Sequence, residues 1–427
     1  MDTQVIIDNG TALSKMGYGG NVAPDFVIPT NMLKIEQNIN LNFPSKNNKY
    51  NYYIGDEVIE HANNSENYKF LYPMQNGIIE NWDLMEQYWF KSIYNYLKCD
   101  PQEHYFVLSE SSINPPENRQ NIAEIFFETF GVPGLYIGLQ AFFALLGYSK
   151  IYEDSDVEMD FIQEKAIKSL TGLVVDSGES ETHIVPICNG FVLGSNIRHF
   201  PVGGRKITSF MEQMIKKRGE NICNEDLYFA ITELKEKYGY LTNDLLEEFS
   251  KFDKKMVENG KVKQSCKFKK FEGIGKISKT PFSINIGYEV FLGPESVFSP
   301  EIIDLKYKSS LDECIDLVIQ NSPINFRRRL YANIITCGGS TLFKNFDKKL
   351  KCTLQNRVNE RFKKNKIFGR KNVIKVKVSD SMAQKHIAWL GASCLSSNET
   401  FNSFVHTREE YMEKGPSCFN SNPIISF

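Results

Sequence analysis

A short pattern occurs twice in this chain, 168 residues apart. Val5-Ile6-Ile7 runs into Asp8-Asn9-Gly10, and an apolar-rich run restarts at Leu13. Leu173-Val174-Val175 runs into Asp176-Ser177-Gly178, and Thr182-His183-Ile184-Val185 follows. Each copy reads as a strand, a tight turn and a return strand, and Asn-Gly between apolar runs is itself a strong hairpin signal. Such self-similarity predicts two related α/β halves. A length of 427 residues agrees, since it implies roughly two to three domains.

Composition narrows the class. Hydrophobic residues make up 41% and charged residues 24%, which excludes a disordered, fibrous or collagen-like chain. No apolar run reaches the ~18 residues of a membrane span, so no membrane insertion is expected. MDTQVIIDNG lacks a basic segment followed by an apolar one, so no secretory signal is expected. A net charge of -2 gives no electrostatic case for direct nucleic-acid binding. The nine Cys show no C-x-x-C spacing and there are only six His, which predicts reduced thiols, a cytoplasmic or nuclear setting and no zinc site.

Several elements are readable. Helices are expected over Asp83–Leu97 with an acidic N-cap at Asp83, over Pro116–Phe130 stopping at Gly131, over the apolar Leu139–Leu146, and over Leu311–Gln320. Tyr331–Cys337 reads as a buried strand ending at Gly338-Gly339. Residues 254–270 carry seven Lys and one Glu, and residues 351–377 carry ten Lys or Arg and one Glu. Each basic stretch reads as a solvated loop or helix face, or as a patch for an acidic partner. Residues 36–51 are polar and Asn-rich, so a surface loop is expected.

The turns suggest chemistry. Glycine lets backbone amides approach a ligand, and successive amides make an anion-binding nest. Two nests facing each other would clamp a phosphate chain, with Asp8 and Asp176 placed for Mg²⁺ and its waters. The plainer reading is a pair of ordinary hairpins with Asp as turn former. Gly338-Gly339-Ser340-Thr341 would let a backbone approach a base, a ribose or a phosphate. Gln140 is the strongly polar residue of an apolar helix. It either orients a water or caps a neighbouring backbone. His183 is similarly a base or a hydrogen-bonded structural histidine. Walker A, G-x-S-x-G and H-E-x-x-H patterns are absent from the sequence.

These segments resemble the actin family. DNGTALSKMGYGG is similar to its first phosphate loop, DSGESETHIVP to the second and TCGGSTLF to its adenosine segment. YPMQNGIIENWDLMEQYW and IAWLGASCLSS extend the likeness. HYFVLSESSINPPENRQNIAEIFFETFGVPGLYIGLQAFFAL, SNIRHFPVGGRKIT, GYEVFLGPE, VIQNSPINFRRRLYANI and HTREEYMEKGPS resemble the actin-related branch, as do the length and the basic insertions.

The resemblance implies an actin-like ATPase fold, two duplicated α/β domains around a nucleotide cleft. Its four subdomains are expected at 1–29, 73–147 and 387–427; 30–72; 148–202 and 295–386; and 203–294. It implies ATP (or ADP) with Mg²⁺ (or Ca²⁺). It places Asp8, Asn9, Gly10, Thr11, Ala12, Leu13 and Lys15 in the first phosphate loop, with Lys15 on the phosphates. Asp176, Ser177, Gly178, Glu179 and Ser180 fall in the second, with Asp8 and Asp176 near the metal. Gln140 and His183 match positions that order the hydrolytic water. Lys235 and Glu236 match ribose and base contacts, and Gly338, Gly339, Ser340 and Lys385 the wall around the nucleoside.

The implied role is an actin-nucleating, branching subunit of the actin-related protein 2/3 complex in the cytoplasm and cytoskeleton. Expected partners are an actin-related protein 2-like subunit, other complex subunits, an actin filament and activator helices. The last would enter an apolar groove bordered by Phe143, Leu145, Leu146 and the segment near Leu395. The C-terminal GPSCFNSNPIISF would occupy that groove or pack on its own domain. A divergent scaffold of a nuclear or other non-branching assembly, with little or no ATPase activity, is the alternative. A small-metabolite kinase lacks a candidate catalytic Asp facing a polar pocket.

Departures from the family pattern cluster at the loops. Ala12 and Ser180 replace glycines, Glu179 an Asp, Glu181 an apolar residue and Lys206 an Asp. If those glycine positions need φ > 0 or close phosphate approach, each Cβ costs on the order of 1 kcal/mol. The longer Glu179 would shift the metal waters, and an inward Glu181 would repel the γ-phosphate. Weakened ATP binding and slow or absent hydrolysis are the expectation.

Overall fold

The structure is a computed structural model that describes residues 4–35, 52–65, 67–153, 170–220, 222–252, 255–258, 261–264, 269–364, 374–379, 383–420 and 425–426. Both expected hairpins form, and each lies within its own sheet. The first sheet runs His406–Thr407, Gly134–Leu139, Tyr105–Glu110, Val5–Asn9, Leu13–Tyr18, Phe26–Pro29. The second runs Val378–Ser379, Ile334–Cys337, Gly172–Ser177, Thr182–Cys188, Phe191–Leu193, Ile425–Ser426, and Arg198–Phe200 also pairs with Thr182–Cys188. The sheets share one plan. The strand that carries the Asp pairs antiparallel with its hairpin partner and parallel with a strand from later in the chain. Covered on both faces, it needs an unbroken apolar run, and Val5–Ile7 and Leu173–Val175 are at most 1% exposed.

Helices Gln140–Glu153 and Ile387–Ser396 pack together between the halves. Their core includes Ile6 and Val107 of the first sheet and Val174, Val185 and Ile335 of the second. Glycines permit the close approach: a Cβ on Gly391 would lie 1.8 Å from Phe143 O, and one on Gly147 2.6 Å from Ile387 O. Phe143, Leu145, Leu146 and Leu395 are buried in this core, so they do not border an open groove. A helix that is apolar all round belongs between layers. Each half also has its own core, and the small sheet of Met32–Ile35, Tyr52–Ile54 and Tyr68–Leu71 has a satellite core with helix Glu57–Asn63.

Several boundaries differ from the sequence reading. The first helix is Trp82–Lys91, capped by Asn81, which accepts from the Leu84 N–H at 3.0 Å, and not by Asp83. Ser92–Leu97 continues it as a π-helix until Lys98 turns left-handed at φ +55°. Pro116–Glu124 is α-helical and Ile125–Thr129 π-helical, with Gly131 beyond at φ +70°. Leu139 closes a strand because Gly134–Leu139 pairs with Tyr105–Glu110, so the following helix starts at Gln140. The later helix is Leu311–Asn321, one residue longer than expected. Tyr331 lies in helix Ile324–Ala332, and the buried strand is only Ile334–Cys337.

Asn9-Gly10 does not make a two-residue turn, because residues 10–12 separate the strands and the Gly10 N–H donates to Leu13 O at 3.1 Å. Among the described residues, two-residue Asn-Gly turns are Asn76-Gly77 (φ +49° and +75°) and Asn189-Gly190 (φ +52° and +81°), both left-handed as a type I′ turn demands. In the first basic stretch Lys255–Glu258 and Lys261–Gln264 form a β-hairpin and Lys270 opens a strand, so these described residues are strand and not loop or helix face. The second begins within helix Phe346–Lys364. The expected loop at 36–51 lies outside the described residues. The C-terminal segment splits: Cys418 and Phe419 are buried in the core of the first half, and Ile425–Ser426 pairs with Phe191–Leu193 of the second sheet.

Candidate functional site

Asp8 and Asp176 stand at matching ends of matching strands, and both open on one cleft of about 390 Å³. That is the size of a small-ligand site. Every residue expected at the site lines it except Ser177. The Ser177 hydroxyl is instead buried against Thr182 Oγ1 at 2.8 Å, where it holds the second hairpin together.

Asp8 is the most heavily bonded group. Lys15 Nζ donates to Oδ2 at 2.6 Å, and Ser109 Oγ and Gln140 Nε2 donate to Oδ1 at 2.5 and 2.9 Å. Burial pushes its carboxyl pKa up, but the Lys15 charge and these hydrogen bonds outweigh burial and hold it below the usual value. Asp176 goes the other way: burial raises it and the negative charge of Asp8 adds to that, while Lys15 opposes. The two carboxylates therefore sense each other and one lysine across the junction of the halves.

The hairpins are closed alike, with the Gly178 N–H donating to Glu181 O at 3.3 Å as Gly10 does to Leu13. Ala12 and Ser180 are not strained, since positive φ among described non-glycine residues occurs only at Asn76, Lys98, Asn189, Lys279 and Asn345. The Cβ cost expected from left-handed backbone at those positions does not arise. Gly338 is the demanding glycine, at φ +88°, where a Cβ would lie 2.3 Å from Ser177 O. At Gly178 and Gly339 a Cβ would meet nothing within 4 Å. Ser111 Oγ and Ser180 Oγ are buried with no hydrogen-bond partner among the described residues, and both residues line the cleft. Open glycine faces and orphaned hydroxyls fit a polar ligand that the protein itself does not replace.

The sequence profile described as Actin matches residues 2–422. The chain belongs to the actin family. It is 38% identical over 433 residues to Actin-related protein 3 of Caenorhabditis elegans, covering 98% of this chain and 97% of that protein. It is 39% identical over 431 residues to Actin-related protein 3 of Dictyostelium discoideum, covering 99% and 97%. It is 37% identical over 439 residues to Actin-related protein 3 of Drosophila melanogaster, covering 98% and 97%.

Against the actin pattern, two of the three charged departures, Glu179 and Lys206, have partners within the chain. Glu179 accepts from Tyr228 OH at 2.6 Å and has Arg205 Nε at 3.9 Å, so its longer side chain reaches toward helix Asn224–Tyr238. Lys206 Nζ donates to Tyr307 OH at 2.9 Å. Glu181 does line the cleft. Lys235 is buried and donates to Gly204 O at 3.1 Å and Thr208 Oγ1 at 2.8 Å; burial lowers its pKa, against the pull of Glu179 and Glu236. His183 is pushed down to about 4, first by burial and then by His199, so it is neutral at physiological pH.

Sequence reasoning missed Ser109, Ser111, Gly77, Cys337, Leu342, Phe343 and Gln384. Ser109 holds Asp8 and the other six line the cleft. Ser109 had a readable signal: it lies near the carboxyl end of Tyr105–Glu110, and parallel neighbours in an α/β sheet present that end to ligands. Gly77 had none, because its N–H reaches Thr11 Oγ1, at 2.9 Å, only after the first hairpin and the Asn76-Gly77 turn are docked.

Proposed function

We propose that this chain is an ATP-binding (or ADP-binding) subunit of the actin-related protein 2/3 complex, templating a new actin filament beside an actin-related protein 2-like partner. The carrying observation is the convergence of both duplicated hairpins on one cleft, in a chain that matches Actin-related protein 3 of several organisms along nearly its whole length. The subunit acts by its shape: the cleft joins the halves, so its contents set how the halves stand. Other complex subunits, an actin filament and activator helices are the proposed partners, in the cytoskeleton, and the four-subdomain division is retained.

Within the cleft the amides of residues 10–12 and 178–180 would cradle the phosphates, and Lys15 would move from Asp8 to them. The cleft carries Asp8, Asp176, Glu179, Glu181 and Glu236 against Lys15, Lys235 and Lys385, an excess of negative charge. A phosphate chain therefore needs a divalent cation, Mg²⁺ or Ca²⁺, to supply compensating charge. Asp8 and Asp176, which both line the cleft, would hold that ion through its waters. Lys235, Glu236, Gly338, Gly339, Ser340 and Lys385 would form the nucleoside wall. Gln140 directs its amide protons at Asp8 Oδ1, Asn9 O and Ser109 Oγ, which would leave Oε1 to accept from a water. Hydrolysis would be slow or absent, because Glu181 places a carboxylate in the same cleft.

Native purification tests the assembly. Co-purification with an actin-related protein 2-like chain supports it, and a monomer that polymerises alone defeats it. Nucleotide titration with phosphate-release kinetics tests the cleft: tight binding with release at conventional actin rates would overturn the slow-hydrolysis reading.

A further inference from the structure

His183 and His199 lie opposite each other in the ladder between Thr182–Cys188 and Arg198–Phe200. Their Nδ1 atoms are 2.9 Å apart and the rings meet edge to face at 80°. His183 lines the cleft, whereas His199 is exposed. A hydrogen bond between two imidazole nitrogens needs a proton on one and a lone pair on the other. Neutral imidazole carries one proton, so whichever Nδ1 donates fixes the state of its own Nε2. With His183 Nδ1 engaged by His199, Nε2 is the nitrogen left for the cleft.

We propose that His199 is a positioning residue: its hydrogen bond selects the tautomer of His183, and a proton added to His199 closes the lone pair that His183 offers to water in the cleft. Donor and acceptor numbers on the two imidazoles force this coupling. Protonated His199 has two N–H groups, so its Nδ1 can only donate. His183 Nδ1 must then accept, and the single proton of neutral His183 moves to Nε2. There it donates to a water but no longer accepts from one. When His199 is neutral, the opposite arrangement, with an accepting Nε2 on His183, becomes available.

The surroundings favour titration at His199 rather than at His183. His183 is more deeply buried, and burial disfavours its charge. His199 is lowered by burial and by Arg198 on its own strand, while Glu181, on the second hairpin, raises it. Helix Leu311–Asn321 also packs on that strand, but Asp312 is bonded to Arg357, and Asp316 to Tyr331 and Arg361. Glu313 acts on Cys314 and Arg357. On Thr182–Cys188 the facing titratable group is His183 itself.

This inference rests on the proposed role of His183 in ordering water, and the experiment separates the two. Nitrogen-15 imidazole spectra of the full chain, labelled at histidine and recorded across the pH range, read the tautomer without nucleotide. The expected result is that His183 converts to the Nε2–H form, still neutral, in step with protonation of His199. His199→Leu should abolish that conversion. His199→Asn, which puts a non-titrating amide near the place of Nδ1, should leave a His183 tautomer balance that no longer follows pH. A His183 that keeps its tautomer while His199 titrates, or takes up a proton with it, overturns the proposal. Phosphate release is the second readout: the wild-type rate should fall about tenfold per pH unit below the His199 titration, and both variants should lose that acid limb. If spectra show the coupling but nucleotide is never hydrolysed, the water-ordering role fails while the His199–His183 linkage stands.

Discussion

Asp8 and Asp176 occupy matching places in a duplicated hairpin, yet their neighbours make them opposites. Asp8 has a folded pKa below the ordinary 3.8, so its ion pair contributes stability above that pH and loses it as pH falls through the folded value. Asp176 has a folded pKa above 3.8, so it binds a proton more tightly folded than unfolded, and mild acid stabilises through it. In the nucleotide-free chain at pH 7, Asp8→Ala should therefore cost about 3–5 kcal/mol, since it leaves the mostly buried Lys15 unpaired. Asp176→Asn should raise the urea midpoint while removing cation-dependent nucleotide binding. Equal shifts for the two would refute the electrostatic asymmetry. Glycines divide in the same way. Gly338→Ala meets both a positive φ and Ser177 O, and should destabilise by at least ~1–3 kcal/mol. Gly178→Ala meets open space and should leave the melting temperature nearly unchanged while weakening nucleotide binding.

Elements show where neighbours overrule local preference. The apolar stretch after Leu139 is helical as its composition suggests, but its start is set by pairing of Gly134–Leu139 with Tyr105–Glu110. Asn81, not the acidic Asp83, caps helix Trp82–Lys91, because its side chain reaches the Leu84 N–H. Asn81→Ala should cost about 1 kcal/mol in a denaturant melt. The contact of Gln140–Glu153 with Ile387–Ser396 is more exacting. Gly391→Ala drives a Cβ into Phe143 O and must part the helices that join the halves. A loss of roughly 1–3 kcal/mol or more is expected, with separate melting of the halves where one transition stood before. A single unshifted transition would show that this contact does not couple them.

The molecule as a whole is two copies of one sheet plan, closed on each other by shared helices and by a C-terminal strand that crosses from the first half to the second. With a surplus of carboxylates in the cleft, the proposed cation and nucleotide would have to bind interdependently. Chelating the divalent cation should weaken nucleotide binding and lower the melting temperature together. At nucleotide a hundredfold above its dissociation constant the ligand's contribution is about 2.7 kcal/mol. Nucleotide binding that ignores chelation would rule out the cation role assigned to Asp8 and Asp176.

What a dozen consecutive residues can specify was present in the chain before it folded: the strand-Asp-x-Gly hairpins, the buried runs Val5–Ile7 and Leu173–Val175, and the helix after Pro115. Periodicity, turn chemistry and capping act over that range, so those features are legible before the tertiary arrangement is known. Pairings across long separations were decided only on assembly. Ser109 on Asp8, Gly77 on Thr11 and Tyr228 on Glu179 join residues 101, 66 and 49 positions apart. Neither residue of such a pair carries a mark of the other, because contact depends on how whole sheets and helices stack.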